Sequence, residues 1–398
     1  MPAALHSSAC VIPLALYSPR ILRFLQLNGG RQDARRLALF VCPAGTAFGS
    51  IFLHCKGGGG RHYGDRALDY RYQPVMNERP LMESAGEIRI SLENCWFLTG
   101  PTASGKTEVG VLIAEQLGAE ILSMDSMAIY RGMDIGTAKP DEATRRRVPH
   151  HLLDLVDPWE EYSVARYLED AAAAVAQVRE RGKPILFLGG TPLYLKAVLR
   201  GIFQGPPGNP EYRRRLQADA ARHSPGYLHD RLARVDPQSA AKLHPNDVRR
   251  IIRALEVYET AGQPISRLQS QFEAPRPEAV GRVFQLHPPR DVLHQRIEKR
   301  TEAMFAQGLV EEVRRLIRHP MGLGPTASRA LGYQEVIAFL GGQGSLEKTI
   351  DRVKLRTRQF SKRQMTWFRH LEEVEPIPVK PGRTPQDIAD NILLRMGI

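Results

Sequence analysis

One octapeptide in this chain carries the residue types that bind phosphate. Residues 100–107 read Gly-Pro-Thr-Ala-Ser-Gly-Lys-Thr and match the pattern G-x-x-x-x-G-K-[ST] at every fixed position. In such a loop the backbone N–H groups point inward, the following helix adds its positive dipole end, and Lys106 adds a full charge. Thr107 is a candidate ligand for a Mg²⁺ ion that bridges phosphate oxygens. The octet therefore predicts a di- or triphosphate site formed by Gly100, Pro101, Thr102, Ala103, Ser104, Gly105, Lys106 and Thr107.

Two further polar positions follow predicted strands. Asp125 comes after the strand predicted over 120–124, where a carboxylate would face the bound phosphates and could accept a proton from an attacking nucleophile. It could equally cap the next helix. Thr191 follows Gly189 and Gly190, which allow the backbone to approach a ligand closely, and its hydroxyl offers a hydrogen bond. The same residues would also suit a tight turn in which Thr191 caps a helix beginning at Pro192.

The absence of an Asp at the end of the clearest apolar strand helps to distinguish transfer of a γ-phosphate from release of a diphosphate. Enzymes that use ATP in this way usually have an apolar strand that ends in an Asp and helps to hold Mg²⁺. The apolar run 185–188 is followed instead by Gly-Gly-Thr, and Asp154 and Asp157 lie in a weaker match at 152–157. This pattern favours a diphosphate that leaves over a γ-phosphate that is transferred.

Alternating apolar and helical segments place these residues. We predict strands over 95–99, 120–124 and 185–188 and helices over 106–117 and 163–181, with Gly118 ending the first helix. A chance glycine-rich turn would lack this strand–loop–helix context. The order is typical of an α/β fold with a P-loop and a doubly wound parallel sheet, whose ligands bind beyond the carboxyl ends of the strands. Asp125, Thr191 and the loop all fall at that edge.

The rest of the chain divides into three further regions. Helical patterns near 211–222, 227–234 and 247–261 predict a helical insertion domain at 205–280 between the P-loop core at 94–204 and its return at 281–398. That return begins with a strand at 283–286 and has a helical C-terminal region, with helices near 290–306, 309–318 and 346–370. Residues 1–93 have poor periodicity and only one acidic residue before Asp65, which predicts a poorly structured extension. A disordered tail, or upstream sequence translated before a start at Met82, is favoured over a transit peptide.

Composition limits the class of protein and its partners. The 398 residues are 42% hydrophobic and 25% charged, without the roughly 20 consecutive apolar residues that a membrane helix needs. The four cysteines all lie at or before Cys95, so the catalytic body has no disulfide framework or cysteine metal site, as expected for the cytoplasm. A net charge of +12 favours a polyanionic partner.

Two basic clusters indicate that this partner is RNA. The segment from Arg352 to Arg369 contains seven Lys or Arg and no acid, with Trp367 and Phe368 among them, and 249–253 reads Arg-Arg-Ile-Ile-Arg. Basic side chains follow phosphates, and aromatic rings stack on unpaired bases. A lone basic run is usually a solvated helix face, but two in one basic chain favour RNA.

Taken together, these segments resemble the tRNA dimethylallyltransferases, the bacterial isopentenyl-tRNA transferases. The resemblance covers about 95–372, and its most specific parts are Asp134–Pro140 and the C-terminal run with its Arg-Gln, Lys-Arg-Gln and Thr-Trp groups. The matching stretches are Gly100–Thr107, Asp125–Tyr130, Gly132–Pro140, Gly189–Thr191, His244–Asp247, Arg250–Glu256, Arg296–Arg300, Gly332–Tyr333 and Arg356–Arg369.

The resemblance implies a reaction and a role for each residue. Dimethylallyl diphosphate would bind with its diphosphate in the 100–107 loop, with Mg²⁺ near Thr107. A flipped-out adenosine at tRNA position 37, in tRNAs that read codons beginning with U, would attack through N6. Asp125 would orient N6 and take its proton, and Thr191 and Arg300 would stabilise the departing diphosphate.

The resemblance also implies a tRNA-binding surface, with the insertion at 205–280 clamping the anticodon stem-loop of a tRNA bound to a monomer. Relatives carry basic residues at the position of Gln334, and the chain ends without the cysteines of the zinc finger found in eukaryotic members. The implied tRNA contacts are Asp125, Ser126, Met127, Ala128, Thr191, Arg213, Arg249, Arg250, Ile251, Ile252, Arg253, Arg329, Ala330, Leu331, Gly332, Tyr333 and Gln334.

Three alternatives differ in what they require. An adenylate isopentenyltransferase would prenylate a free nucleotide and would need neither the basic clusters nor the insertion. A nucleotide or small-molecule kinase would need a Mg²⁺-binding Asp after an apolar strand and an Arg-bearing lid. A non-catalytic RNA-binding protein would not need Asp125, Thr191 and Arg300 together.

Overall fold

The computed structural model describes residues 89–203, 205–269 and 274–398. The predicted extension at 1–93 therefore lies outside the described residues up to residue 88. Its last part was assigned wrongly, because Ile90 and Leu92 are each only 3% exposed and pack in the core beneath the sheet. Apolar residues at alternate positions can bury one side of an extended segment, so the packed part of the chain includes residues before position 94.

A six-stranded parallel sheet forms the centre of the protein. Its spatial order is β3-β2-β4-β1-β5-β6, and every pairing is parallel, so the predicted α/β doubly wound fold is confirmed. Parallel strands are buried on both faces, which explains why they read as apolar runs. The strands are β1 (Cys95–Thr99), β2 (Glu120–Ser123), β3 (His150–His151), β4 (Ile185–Gly189), β5 (Val283–His287) and β6 (Val374–Pro378).

Helices cover both faces of this sheet. On one face, the helices Val164–Glu180 and Pro192–Arg200 pack against the side chains of Cys95 and Phe97 from β1. On the other face, Lys106–Leu117 and Pro385–Met396 pack around Leu98. Alternate side chains of one strand thus belong to different cores, as the two-residue period of a strand requires.

The helix that follows the phosphate loop has the predicted bounds. Lys106–Leu117 ends at Gly118, which has a φ of +61° and donates its N–H to the carbonyl of Glu115 at 3.2 Å. Short or charged elements were missed, namely the two-residue strand β3, the strand β6, and the helix Glu142–Arg147 with its Arg-Arg-Arg end. Two residues show no period, and β6 contains two prolines that sequence patterns assign to loops.

A group of five helices has a core of its own. Tyr212, Leu216, Leu228, Leu232 and Ile251 are buried against one another there. The helices predicted near 211–222, 227–234 and 247–261 are confirmed. The observed helices are Pro210–Arg222, Tyr227–Val235, Pro237–Lys242, Val248–Ala261 and Ile265–Gln269.

After β5 the chain is again mainly helical. The helices predicted near 290–306, 309–318 and 346–370 are confirmed, and a further short helix precedes the longest one. The observed helices are Arg290–Ala306, Leu309–Arg318, Tyr333–Leu340 and Leu346–Phe368. A third core joins the first three of these helices to the loop after β2 through Tyr130, Met133, Leu309, Val313 and Tyr333.

A buried ion pair joins the helix Pro192–Arg200 to the residue before strand β6. Arg200, at the end of its helix, donates two hydrogen bonds of 2.8 Å to the carboxylate of Glu373, and the side chains are 7% and 0% exposed. Burial alone would raise the pKa of Glu373, but the hydrogen bonds and charge of Arg200, together with backbone hydrogen bonds, outweigh burial and the pKa is lowered. The pair contributes stability above the unfolded-state pKa of this carboxyl, and the contribution is lost as the pH falls through the folded-state pKa.

We predict that Arg200→Met lowers the free energy of unfolding by about 3–5 kcal/mol, because it leaves a buried carboxylate without its guanidinium partner. Urea denaturation at neutral pH measures this loss. The matched control is Arg395→Met, which breaks the exposed ion pair with Glu375 and should cost under about 1 kcal/mol. Equal losses in the two variants would contradict the assignment.

Candidate active site

A cavity of about 420 Å³ opens at the carboxyl edge of the sheet. It unites most of the predicted site residues, because parallel strands bring the loops that follow them to one edge. The lining of the cavity does not include the other five residues of the phosphate loop. It also does not include Arg213 or residues 249–253. The predicted residues that line it are Thr102, Lys106, Thr107, Asp125, Ser126, Met127, Ala128, Thr191, Arg300, Arg329, Ala330, Leu331, Gly332, Tyr333 and Gln334.

The phosphate loop has backbone angles that require its glycines. Gly100 and Gly105 have φ values of +153° and +89°, and a Cβ on Gly100 would lie 3.0 Å from the Ser104 hydroxyl. Arg296 donates to the carbonyl of Ser104 at 3.0 Å and so fixes the loop from the outside. The buried Ser104 hydroxyl itself has no hydrogen-bond partner among the described residues.

Two cations face this cavity without a counter-ion. Burial, and next the charge of Arg300, lower the pKa of Lys106 to about 8, while Asp125 acts in the opposite direction. Burial likewise lowers the pKa of Arg300, again opposed by Asp125. Within the described part of the chain neither side chain forms an ion pair, and Lys106 donates only to the carbonyl of Pro101, at 3.2 Å. Two desolvated positive charges beside one carboxylate make a site for a polyanion.

Asp125 both caps a turn and faces the cavity. One carboxylate oxygen, Oδ1, accepts hydrogen bonds from the backbone N–H groups of Met127, at 2.8 Å, and Ala128, at 3.2 Å. The prediction that Asp125 caps a helix was wrong, because residues 126–129 form a turn and the first helix after β2 is Glu142–Arg147. These bonds orient the carboxylate at the cavity wall, where its charge acts on both cations. Capping and a role in chemistry are thus compatible.

Thr191 does not cap its helix through its side chain. Its hydroxyl accepts a hydrogen bond from the N–H of Ser126 at 3.1 Å and so ties the end of β4 to the turn after β2. Pro192 occupies the first turn of the helix, as predicted. The glycines before Thr191 lack room for a side chain, since a Cβ on Gly189 would lie 2.2 Å from the Met124 carbonyl oxygen and one on Gly190 would lie 2.8 Å from Gln364 Nε2.

A buried carboxylate supports the wall at 329–334. Glu335 accepts a hydrogen bond from the N–H of Gly332 at 2.8 Å, where φ is +86°, and another from Arg356 at 2.7 Å. Arg356 also donates to the exposed Gln334 at 3.1 Å. The wall is therefore fixed to the long helix Leu346–Phe368.

A second buried carboxylate holds the loop that contains Gly132–Pro140. Glu312 accepts hydrogen bonds from the N–H groups of Asp134, Ile135 and Gly136 and from the hydroxyl of Tyr333 at 2.6 Å. A Cβ on Gly136 would lie 2.4 Å from the Tyr333 ring, so only glycine fits there. The most specific stretch of the sequence thus has a structural role, which is to pack one wall of the cavity.

Several residues implied to contact tRNA have other roles in this structure. Ile251 and Ile252 are 0% and 3% exposed, so the prediction that their side chains meet RNA was wrong, because the amphipathic helix turns them into its core. Arg213 and Arg253 both form ion pairs with the fully buried Glu256, which constrains their guanidinium groups. Arg249 and Arg250 remain exposed.

The basic run on Leu346–Phe368 is also partly neutralised. Lys354 and Arg358 form ion pairs with Glu302 and Glu298 on the helix Arg290–Ala306, and Arg356 pairs with Glu335. These three side chains are therefore partly neutralised within the chain, and the contact of this basic run with RNA stays a prediction. The acids lie far away in sequence, so the run itself carried no sign of them.

Sequence reasoning missed four residues that hold the site together. Gln364 contacts both the phosphate loop and Gly190, and Glu256, Glu312 and Glu335 fix the surrounding loops. Gln364 lies in the specific C-terminal run, which was a usable signal. Glu256 likewise ends the matching stretch Arg250–Glu256, whereas Glu312 and Glu335 had no signal, since a buried Glu resembles a surface Glu in sequence.

The described residues fit Mg²⁺ only together with a phosphate ligand. They contain no group of three or more His, Cys, Asp or Glu that could hold a metal ion, whereas Thr107 and Asp125 line the cavity. Mg²⁺ typically takes one or two protein oxygens and completes its shell with water and substrate phosphates.

None of the described helices is long and apolar enough to cross a membrane.

Comparison with known proteins agrees with this architecture. A sequence model of the IPP transferase family matches residues 128–371. The chain is 50% identical over 285 residues to the tRNA dimethylallyltransferase of Rhodopirellula baltica, covering 70% of this chain and 85% of the relative. It is 47% identical over 296 residues to that of Pelotomaculum thermopropionicum, covering 74% and 94%.

Solved structures give the same result. The full-length tRNA isopentenylpyrophosphate transferase of Bacillus halodurans aligns with a TM-score of 0.55 and 36% identity over 76% of this chain and 96% of that one. A eukaryotic dimethylallyltransferase acting on tRNA aligns with a TM-score of 0.58 and 26% identity over 71% and 73%. The chain therefore belongs to the IPP transferase family, together with the tRNA dimethylallyltransferases.

Proposed function

We propose that this protein transfers a dimethylallyl group from dimethylallyl diphosphate to N6 of adenosine 37 in tRNAs that read codons beginning with U. The observation that carries the proposal is the pair Lys106 and Arg300, two cations that share one cavity with Asp125 and form no ion pair within the part of the chain that the structure describes. A leaving diphosphate supplies the negative charge that this pair lacks, and relatives at 50% and 47% identity are named for this reaction.

The proposed step needs one base and one anion site. N6 of the adenine attacks the first carbon of the allylic group, the bond from that carbon to the diphosphate oxygen breaks, and the diphosphate leaves with the electron pair. The proton of N6 passes to the Asp125 carboxylate. Lys106, Arg300 and the loop N–H groups stabilise the charge that develops on the diphosphate. Mg²⁺ would be held by Thr107 together with the substrate and would supply further positive charge there.

Three ion pairs count against a kinase. Asp154, one of the two aspartates considered for Mg²⁺, pairs with Lys139 and Arg145, and Asp157 pairs with Arg131. Neither aspartate lines the cavity. The aspartate that does line the cavity is Asp125, and we assign it the role of proton acceptor rather than that of a metal ligand.

The helical module, by which we mean the five helices from Pro210–Arg222 to Ile265–Gln269, favours tRNA over a free nucleotide as the acceptor. Its surface carries the exposed arginines Arg214, Arg249 and Arg250, which suit a phosphate backbone and which a nucleotide bound in the cavity would not need. We further propose that the enzyme acts as a monomer in the cytoplasm.

One assay separates these acceptors. We expect labelled dimethylallyl diphosphate with Mg²⁺ to label unmodified tRNA as N6-prenyladenosine and to leave AMP unlabelled. A tRNA with guanosine at position 37 is the matched control and should stay unlabelled. Label on AMP alone would support the adenylate isopentenyltransferase, and ATP consumption without label would support a kinase.

A second prediction isolates the base. Asp125→Asn keeps an oxygen that can accept from Met127 and Ala128, so the turn should persist while the proton acceptor is lost. We expect turnover to fall by about two orders of magnitude or more, with tRNA affinity unchanged. Single-turnover kinetics and tRNA binding measure the two effects. Near-normal turnover would remove Asp125 from the mechanism.

The lowered pKa of Lys106 predicts a pH dependence. Below a pH of about 8 the free enzyme carries the Lys106 charge, and above it the charge is lost while the donor still needs it. We therefore expect kcat/KM for the donor to fall as the pH rises through about 8. Lys106→Arg keeps its charge at high pH, so this variant should lack that falling limb whatever its overall rate. The same limb in both proteins would exclude Lys106 as its source.

A further inference from the structure

A glutamine from the C-terminal part of the chain closes the phosphate loop. Gln364, on the helix Leu346–Phe368, is 4% exposed and uses both ends of its amide. Its Oε1 accepts a hydrogen bond from the N–H of Thr102 at 2.9 Å, and its Nε2 donates to the carbonyl oxygen of Gly190 at 2.6 Å. One side chain thus joins the loop after β1 to the end of β4.

These two contacts lie beside the cation that faces the cavity. Lys106 Nζ donates to the carbonyl of Pro101, the residue before Thr102, and would lie 3.3 Å from a Cβ placed on Gly190. Movement of either strand end would therefore move the walls around the Lys106 ammonium. Gln364 sets the distance between those walls.

Only glutamine among the natural residues has the chemistry and length for this contact. A glutamate at this position would accept from Thr102 but, when ionised, could not donate to Gly190. An asparagine would be one methylene shorter and could not make both bonds from the same backbone position. An apolar side chain would leave a buried N–H and a buried carbonyl without partners, which is costly.

The helix that carries Gln364 has its own independent attachments. Ion pairs join Lys354 to Glu302 and Arg358 to Glu298, and the ring of Phe368 is buried in the core. Loss of the Gln364 amide would therefore release the loop without detaching the helix.

We propose that Gln364 is a positioning residue that holds the Pro101–Thr102 segment of the loop in the conformation that binds diphosphate. This inference rests on the proposed function, in which that loop holds the diphosphate of the prenyl donor. Gln364 acts through Thr102, Gly190 and Lys106 and takes no part in proton transfer. Its loss should weaken binding of the donor much more than it slows the chemical step.

The test measures binding of inorganic pyrophosphate with Mg²⁺ to the full chain by calorimetry. Gln364→Met preserves side-chain volume and removes both hydrogen bonds, and we expect the Kd for pyrophosphate to rise about tenfold or more. The KM for dimethylallyl diphosphate should rise by a similar factor, while kcat and the Kd for tRNA should change by less than about threefold.

The matched control is Gln359→Met on the same helix. Gln359 is exposed and makes no hydrogen bond with the described residues, so this variant should bind pyrophosphate as the unmodified chain does. Gln364→Asn keeps the amide and removes its reach, so it repeats the test if Gln364→Met folds poorly. Thermal unfolding compares all of these proteins.

The outcomes separate this inference from the function on which it rests. If the unmodified chain does not bind pyrophosphate and does not label tRNA, both are overturned. If it binds pyrophosphate and either folded Gln364 variant binds it equally well, only the positioning role is overturned. Parallel losses in kcat and in tRNA affinity would also overturn it, because they would indicate a general structural role.

Discussion

The folded chain holds two cations, Lys106 and Arg300, in one cavity that has Asp125 as its nearby carboxylate. Like charges removed from water repel each other and lose hydration, so this arrangement costs free energy that the rest of the fold must offset. The sheet and its two cores supply the compensating burial. A bound polyanion would remove the repulsion, so the site is preorganised for negative charge.

The buried carboxylates of the described residues have partners, in contrast to the cations Lys106 and Arg300. Glu312 accepts three backbone N–H bonds, Glu335 bonds to Gly332 and Arg356, and Glu373 pairs with Arg200. Each acid thereby fixes a loop or strand that would otherwise be free to move. Structural acids are recognised by these saturated contacts, whereas Asp125 uses one oxygen for its turn and still faces the cavity.

The arginines divide in a similar way between support and contact. Arg213 and Arg253 converge on Glu256 and brace the helical module, while Arg249 and Arg250 on the same helix surface stay exposed. On the long helix Leu346–Phe368, Arg356 supports the wall at 329–334. Gln364 lies eight residues later, about 12 Å along the helix axis, and holds the phosphate loop. One helix therefore braces both the proposed acceptor side and the proposed donor side.

The sequence alone determined the longer helices, most of the strands and the edge of the sheet at which chemistry occurs. Apolar runs, the glycine at position 118 and the loop 100–107 are local signals, and parallel topology then brings Asp125, Thr191 and the loop together. The sequence did not determine which polar side chains form ion pairs. Arg358 meets Glu298, and Lys354 meets Glu302, only because two helices that are distant in sequence pack together. Tertiary structure decided that Ile251 faces a core, that Arg356 is a brace, and that Gln364 reaches Thr102. Those contacts span tens to hundreds of residues, so no local period or spacing encodes them.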